Sequence, residues 1–124
     1  MGEAVEGVGG VFFRAHDPVA LRAWYAEQLG LDVNAEWGGA VLTSAGGETL
    51  TWAVFPGGTD YFGSGDQQAM VNYRVRDLDA MLAQLRAAGV TVADDVEELQ
   101  YGRFGWATDP DGNRLELWEP APGQ

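Results

Sequence analysis

Residues Thr108 to Pro120 read TDPDGNRLELWEP, and how this stretch folds decides the architecture of the C-terminal half. Asp109-Pro110-Asp111-Gly112-Asn113 gathers the residues that make turns. Proline presets φ, glycine supplies positive φ, and Asp and Asn bond their own backbone. Beyond the turn, Arg114 to Trp118 alternates apolar and polar positions, the period of a strand. Gly102 to Thr108, before the turn, reads as its hairpin partner. In the middle stands Glu116, either a metal ligand or the polar side of a strand.

Upstream, Ala69 to Arg76 reads as a strand and Asp77 as the cap of a helix with the apolar stripe Leu78, Met81, Leu82 and Leu85, ended by Gly89. Val90 to Val96 follows as a strand. The same order stands in the N-terminal half. A strand from Val8 to Ala15 ends at His16, and Asp17-Pro18 starts a helix. That helix, Val19 to Leu29, places Leu21, Trp24, Tyr25 and Leu29 along one stripe and ends at Gly30. Strands are expected over Leu31 to Trp37, Ala40 to Ser44 and Thr49 to Phe55, the last two joined by a tight turn at Ala45-Gly46-Gly47-Glu48. Pro56 to Gln68, rich in Gly, Asp and Ser, reads as a linker. The chain thus repeats β-α-β-β-β, with Asp17 matching Asp77 and Arg14 matching Arg74. The expected organisation is one domain over residues 1–124, with module one at about 8–56, a linker at 57–68 and module two at about 69–120.

Composition narrows the function classes. With 124 residues, 46% hydrophobic and 21% charged, the chain is ordinary globular material. No apolar run approaches the roughly 18 residues of a membrane helix. The acidic, Gly-rich start MGEAVEGVGG has no basic and then apolar signal pattern, so a cytoplasmic protein is expected. The absence of cysteine excludes disulfides, thiolate metal sites and a cysteine nucleophile. All seven cations are arginines, so no lysine is present for Schiff-base chemistry. A net charge of −12 argues against nucleic-acid or anionic-membrane partners, which are held by Lys and Arg on phosphate.

Three stretches together resemble the vicinal-oxygen-chelate superfamily of glyoxalases, extradiol dioxygenases and bleomycin-resistance proteins. They are GGVFFRAHDPVALRAWYAEQLGL (Gly9 to Leu31), VNYRVRDLDAMLAQLRAAGV (Val71 to Val90) and GRFGWATDPDGNRLELWEP (Gly102 to Pro120). The resemblance implies an α+β fold in which two βαβββ modules form a curled mixed sheet around a concave cup, with helices outside. It also implies a homodimer. Metal-using members take ligands from the first strand, its equivalent in the second module, and the last strand. Counting seven residues back from Asp17 and Asp77 puts Gly10 and Met70 at the first two positions, and Glu116 at the third. Glycine offers no donor, and a thioether is a soft ligand poorly suited to an oxygen-bound divalent ion. The single histidine, His16, is six residues along the strand from Gly10, roughly 20 Å at about 3.3 Å per residue. It is expected at the surface or helix entry, and no metal site is expected.

Alternation then sorts the faces. Val11, Phe13 and Ala15 should lie under the first helix, and Val71, Tyr73, Val75, Leu115 and Leu117 under the second. The opposite face carries the candidate ligand-binding residues Phe12, Arg14, Asn72, Arg74, Glu116 and Trp118, with Met70 and Arg114. Aromatic walls with a few directional polar groups suit a small-molecule pocket. Arg14, Arg74 and Glu116 could equally neutralise one another as a buried ion network. Phe104, Trp106 and the other strand and loop aromatics could rim the cavity or pack in the core. The Gly-flanked pair Tyr61-Phe62, in Tyr61-Phe62-Gly63-Ser64-Gly65, resembles a mobile lid. The expected function is binding of a small organic ligand without cofactor, with catalytic residues unassigned. One alternative is a divalent-metal lyase, isomerase or dioxygenase, and another is a dimeric interaction module without ligand.

Overall fold

The computed structural model describes residues 2–63 and 65–124; Ser64, in the expected lid, lies outside the described residues. Among the described residues, two helices and eight strands follow in the order β1 (Val5–Ala15), α1 (Pro18–Leu29), β2 (Gly39–Thr43), β3 (Thr49–Pro56), β4 (Ala69–Val75), α2 (Leu78–Ala87), β5 (Thr91–Val92), β6 (Glu97–Leu99), β7 (Gly102–Thr108) and β8 (Arg114–Pro120). The fold is α+β, with strands in both parallel and antiparallel pairings. Two compact units are distinguished: an N-terminal unit, Gly10–Ala69, and a C-terminal unit, Met70–Gln124 together with Met1–Gly9. No described helix is long and apolar enough to cross a membrane.

In the N-terminal unit, β3 lies between β1 and β2. Gly10–Ala15 of β1 runs parallel to β3, and β2 runs antiparallel to it. The parallel pairing requires a crossover, and α1 supplies it. That helix starts where Asp17 caps it, the carboxylate accepting from Ala20 N–H at 3.0 Å, with Pro18 at the first helical position. It stops at Gly30, whose φ of 72° is the left-handed conformation of a C-terminal cap. Ala15, Ala40, Trp52 and Val54 form the buried centre, with Phe13, Leu21 and Tyr25 packed against it. Phe13 and Ala15 therefore lie under the helix, as alternation predicts.

The helical stripe is narrower than its periodicity suggests. Trp24 is 51% exposed and Leu29 60% exposed, and no α1 residue is fully buried. Tyr25 fills the space over Trp52, with ring centroids 4.8 Å apart, and Trp24 only meets the edge of Tyr25. Arg22 does the remaining anchoring, donating to the Gly38 carbonyl at 3.1 Å and the Val54 carbonyl at 2.9 Å. The strand expected over Leu31 to Trp37 is absent, leaving one isolated bridge between Asn34 and Gly39. Asn34 turns the chain instead: its side chain accepts from Glu36 N–H and its carbonyl from Gly38 N–H. Asparagine favours such local bonds over a ladder.

In the C-terminal unit the strand order is β4-β8-β7-β5, with β6 also beside β7. β4 is parallel to β8, and β7 and β8 form the antiparallel hairpin. Helix α2 buries Leu78, Met81 and Leu82 against Val75 and Leu117, as its stripe predicts. Gly105 leaves room for this, since a Cβ there would stand 3.1 Å from a Leu82 methyl. The strand expected over Val90 to Val96 shrinks to Thr91–Val92. β6 was not expected, because its three exposed residues, Glu97-Glu98-Leu99, carry no alternation.

At the 108–114 turn, both Asp111 and Asn113 N–H groups donate to one Asp109 oxygen at 2.9 Å. The Asn113 backbone bond, first, and the other turn donors hold this carboxyl below the usual aspartate value. Because the folded value is depressed, its contribution to the turn is present above the ordinary aspartate range. It is lost as pH falls through the lowered value. An NMR titration should find the Asp109 midpoint below 3.8, and an Asn113→Ala variant should move it upward. A midpoint at or above 3.8 in the intact chain would contradict the bonding described.

Candidate functional site

The two ladders of β8 converge on Glu116. Parallel register sets Asn72 opposite Glu116, and antiparallel register sets Trp106 opposite it from the other side. All three side chains therefore share one face, across three adjacent strands. Asn72 Nδ2 donates to one Glu116 oxygen at 2.6 Å, and Trp106 Nε1 donates to the other at 2.9 Å. Glu116 is 1% exposed and Asn72 2% exposed, so both bonds are made away from water. Such charge-assisted bonds to a buried carboxylate are among the strong ones.

Around this centre the arginines lie over aromatic faces. Arg74 stands 4.6 Å from the Trp118 ring and Arg114 5.1 Å from the Trp106 ring. Phe104 stacks parallel to Trp118 at 5.9 Å, and Trp118 Nε1 donates to the Tyr101 carbonyl at 3.0 Å. Each guanidinium thus meets the negative face of a π-system. Gly9 completes the packing in this unit. A Cβ at Gly9 would lie 2.4 Å from Asn72 Oδ1 and 2.8 Å from Trp118 Cε3, so no larger residue fits undisturbed. Asn72 Oδ1 is itself buried without a hydrogen-bond partner.

In the N-terminal unit, Phe12 packs edge-on against Phe55 at 5.7 Å and tilts against Tyr61 at 6.4 Å. Arg14 reaches the 57–68 segment. Its Nε donates to the Gln67 carbonyl at 2.8 Å, Nη1 to Thr59 at 2.7 Å and Gly57 at 3.2 Å, and Nη2 to Gly65 at 3.1 Å. The pair Tyr61-Phe62, expected as a mobile lid, is anchored: Phe62 is fully buried, 5.1 Å below the Arg14 guanidinium. Burying an aromatic ring outweighs the freedom that the flanking glycines allow. His16 lies exposed at the helix entry, beside Trp24 and Gln68 on an open groove of about 650 Å³.

Of the six residues picked out by alternation, the structure brings Asn72 and Glu116 into direct contact, and Arg74 with Trp118. Phe12 and Arg14 join the aromatic cluster of the other unit. Sequence reasoning missed the direct partner Trp106. The signal was present, because a hairpin that pairs Thr108 with Arg114 also pairs Trp106 with Glu116.

The metal implied by the resemblance does not fit these residues. Gly10 has no donor, and the expected second position is the buried thioether of Met70. Both oxygens of Glu116 face N–H donors, whose positive ends repel a cation at the same place. Among the described residues, no three His, Cys, Asp or Glu side chains converge.

The strand-helix units and the closing hairpin around Glu116 define an α+β protein of the glyoxalase-like class. A profile of the glyoxalase-like domain family matches residues 10–118, and the chain belongs to that family, within the vicinal-oxygen-chelate superfamily. Among curated proteins there is no match. Solved structures share the fold. Methylmalonyl-CoA epimerase from Mycobacterium tuberculosis is 24% identical, with TM-score 0.69 over 95% of this chain and 90% of that one. A Streptomyces coelicolor methylmalonyl-CoA epimerase variant in complex with 2-nitronate-propionyl-CoA is 20% identical, with TM-score 0.70 over 95% and 99%. A Legionella pneumophila protein described as an NAD-dependent benzaldehyde dehydrogenase is 14% identical, with TM-score 0.62 over 90% and 98%.

Proposed function

We propose that this chain binds a small organic molecule without the metal centre used elsewhere in its superfamily. Its proposed contacts are Asn72, Arg74, Glu116 and Trp118 in the C-terminal unit; Phe12 and Arg14 belong to the aromatic cluster of the N-terminal unit. The observation that carries this reading is the pair of N–H donors on Glu116. They support a carboxylate that organises a polar, aromatic-lined face rather than one that holds a cation. Sequestration, as in the bleomycin-resistance branch, and assembly as a homodimer belong to this proposal.

Thermal-shift and tryptophan-fluorescence screens of aromatic acids, amines and acyl-CoA esters test it. At least one class should raise Tm, and chelator treatment should leave that shift unchanged. A shift that disappears with chelator and returns with a divalent ion would overturn the metal-free reading. Absence of any response across the classes would favour an interaction module instead.

A second reading, isomerisation of an acyl-CoA ester, is favoured by the fold shared with methylmalonyl-CoA epimerases. Incubating the protein with methylmalonyl-CoA in D2O checks it. Protein-dependent exchange of the α-proton, followed by NMR, would support the reading; exchange at the rate of a blank would end it.

A further inference from the structure

Two residues along from Glu116, a row of cross-strand partners runs over four strands of the C-terminal unit. Register sets Arg74 of β4 opposite Trp118 of β8, Trp118 opposite Phe104 of β7, and Phe104 opposite Glu97 of β6. Residues directly opposite in a ladder share a face, so guanidinium, indole, phenyl and carboxylate stand side by side. The two rings are parallel within 3°, with centroids 5.9 Å apart, and the Arg74 guanidinium lies 4.6 Å from the Trp118 ring. Arg74 and Phe104 come from strands on opposite sides of β8. A cation therefore already covers one end of the stack. Phe104 forms the other end, is half-buried, and has Glu97 as its neighbour on the side away from Trp118.

Alternation along β6 divides its two glutamates between the faces. Glu98 accepts from Arg103 Nε at 2.9 Å, while Arg103 Nη2 reaches Asp79 of α2 at 3.0 Å, so this glutamate serves the helix side of the sheet. Glu97 turns the other way, is exposed, and makes no hydrogen bond or ion pair among the described residues. Leu99 shares its face, is 49% exposed, and stands opposite Gly102, which has no side chain. Beyond Phe104 there is thus an uncompensated carboxylate with an apolar neighbour, on a chain of net charge −12. A small alkylated cation suits all of these: the ring quadrupole and the carboxylate attract its charge, and its methyl groups meet Leu99. An anion would be repelled both by Glu97 and by the overall field.

We propose that Phe104, Glu97 and Leu99 form a subsite for an alkylated ammonium group of the ligand, which takes on Phe104 the place that Arg74 takes on Trp118. All of these residues belong to the C-terminal unit. The inference rests on the small-molecule reading and adds the sign of the ligand's charge to it.

The test compares choline with 3,3-dimethylbutan-1-ol, which share shape and hydroxyl but differ in charge, by NMR titration of the full chain. The intact protein should prefer choline by roughly three- to thirtyfold, the product of an exposed cation–π contact and an exposed ion pair. Glu97→Gln and Phe104→Leu should each cut that preference by roughly two- to fivefold. Glu97 is exposed, so its variant should leave the amide resonances of α2 in place and keep the test independent of folding. Glu36→Gln removes one exposed carboxylate from the N-terminal unit and should leave the preference unchanged. A preference that persists in Glu97→Gln, or that falls equally in Glu36→Gln, overturns the inference. If neither choline nor its neutral analogue binds while another class in the screen does, the cation subsite is wrong and the binding reading survives. If no compound class binds at all, the binding reading fails and takes the subsite with it.

Discussion

Glu116→Ala is expected to lower unfolding free energy by about 2–5 kcal/mol, since each buried donor stripped of its acceptor costs about 1–3 kcal/mol. Two such donors are involved, Asn72 Nδ2 and Trp106 Nε1, reaching Glu116 from the strands on either side of β8. Glu116→Gln should cost about 1–3 kcal/mol, because it keeps the shape and one acceptor but turns an amide NH2 towards a donor. Urea unfolding measures both, and a lower midpoint at unchanged slope identifies lost stability rather than a changed unfolded state. Loss of less than about 0.5 kcal/mol in Glu116→Ala, the level of an ordinary surface change, would mean that Glu116 does not organise this face.

The second large effect is expected at Gly9. Gly9→Ala should destabilise by about 1–3 kcal/mol, the usual cost of overpacking a filled interior. The added methyl would meet Asn72 Oδ1 at 2.4 Å, Trp118 Cε3 at 2.8 Å and Arg74 Cγ at 3.2 Å. Arg74 is flexible enough to yield. Asn72 and Trp118 are not, being held by Glu116 and by the Tyr101 carbonyl. The strain should therefore pass into the Glu116 bonds. A double-mutant cycle of Gly9→Ala with Asn72→Ala measures this: the pair should cost less than the sum of the two by more than about 0.5 kcal/mol, the limit for independent sites. Strict additivity would contradict the contact.

These effects depend on features that the sequence displays unevenly. The closing hairpin was legible because its turn residues and its alternation agree, and agreement across levels is what marks a specified structure. The same agreement placed Asp17 and Asp77 as caps, with each aspartate accepting from the N–H three residues on. Leu31 to Trp37 misled because apolar residues at intervals imitate a strand, whereas Asn34 and the glycines after Trp37 specify a turn. Trp24 misled because periodicity identifies a helical face but not how much of it the sheet covers.

At the site, parity in the strands assigned Asn72, Arg74, Glu116 and Trp118 to one face, and the resemblance singled out Glu116. What parity cannot supply is the identity of contacts. Which side chain bonds which depends on register across neighbouring strands, and of the pairings that Glu116 makes only β7–β8 can be counted from a turn. The role of Arg14 was hidden for a different reason. Its partners are backbone carbonyls of a connecting segment, and a backbone carbonyl carries no side-chain signature.

Whether Glu116 is a buried acceptor or a metal ligand is decided most directly by metal content. The chain, purified without chelator and exposed to Zn²⁺, Mn²⁺ and Ni²⁺ before desalting, can be measured by mass spectrometry beside its Glu116→Gln variant. Well under one equivalent per chain, equal in both proteins, is the expected result. One equivalent in the natural chain that is lost in Glu116→Gln would contradict the account at its centre.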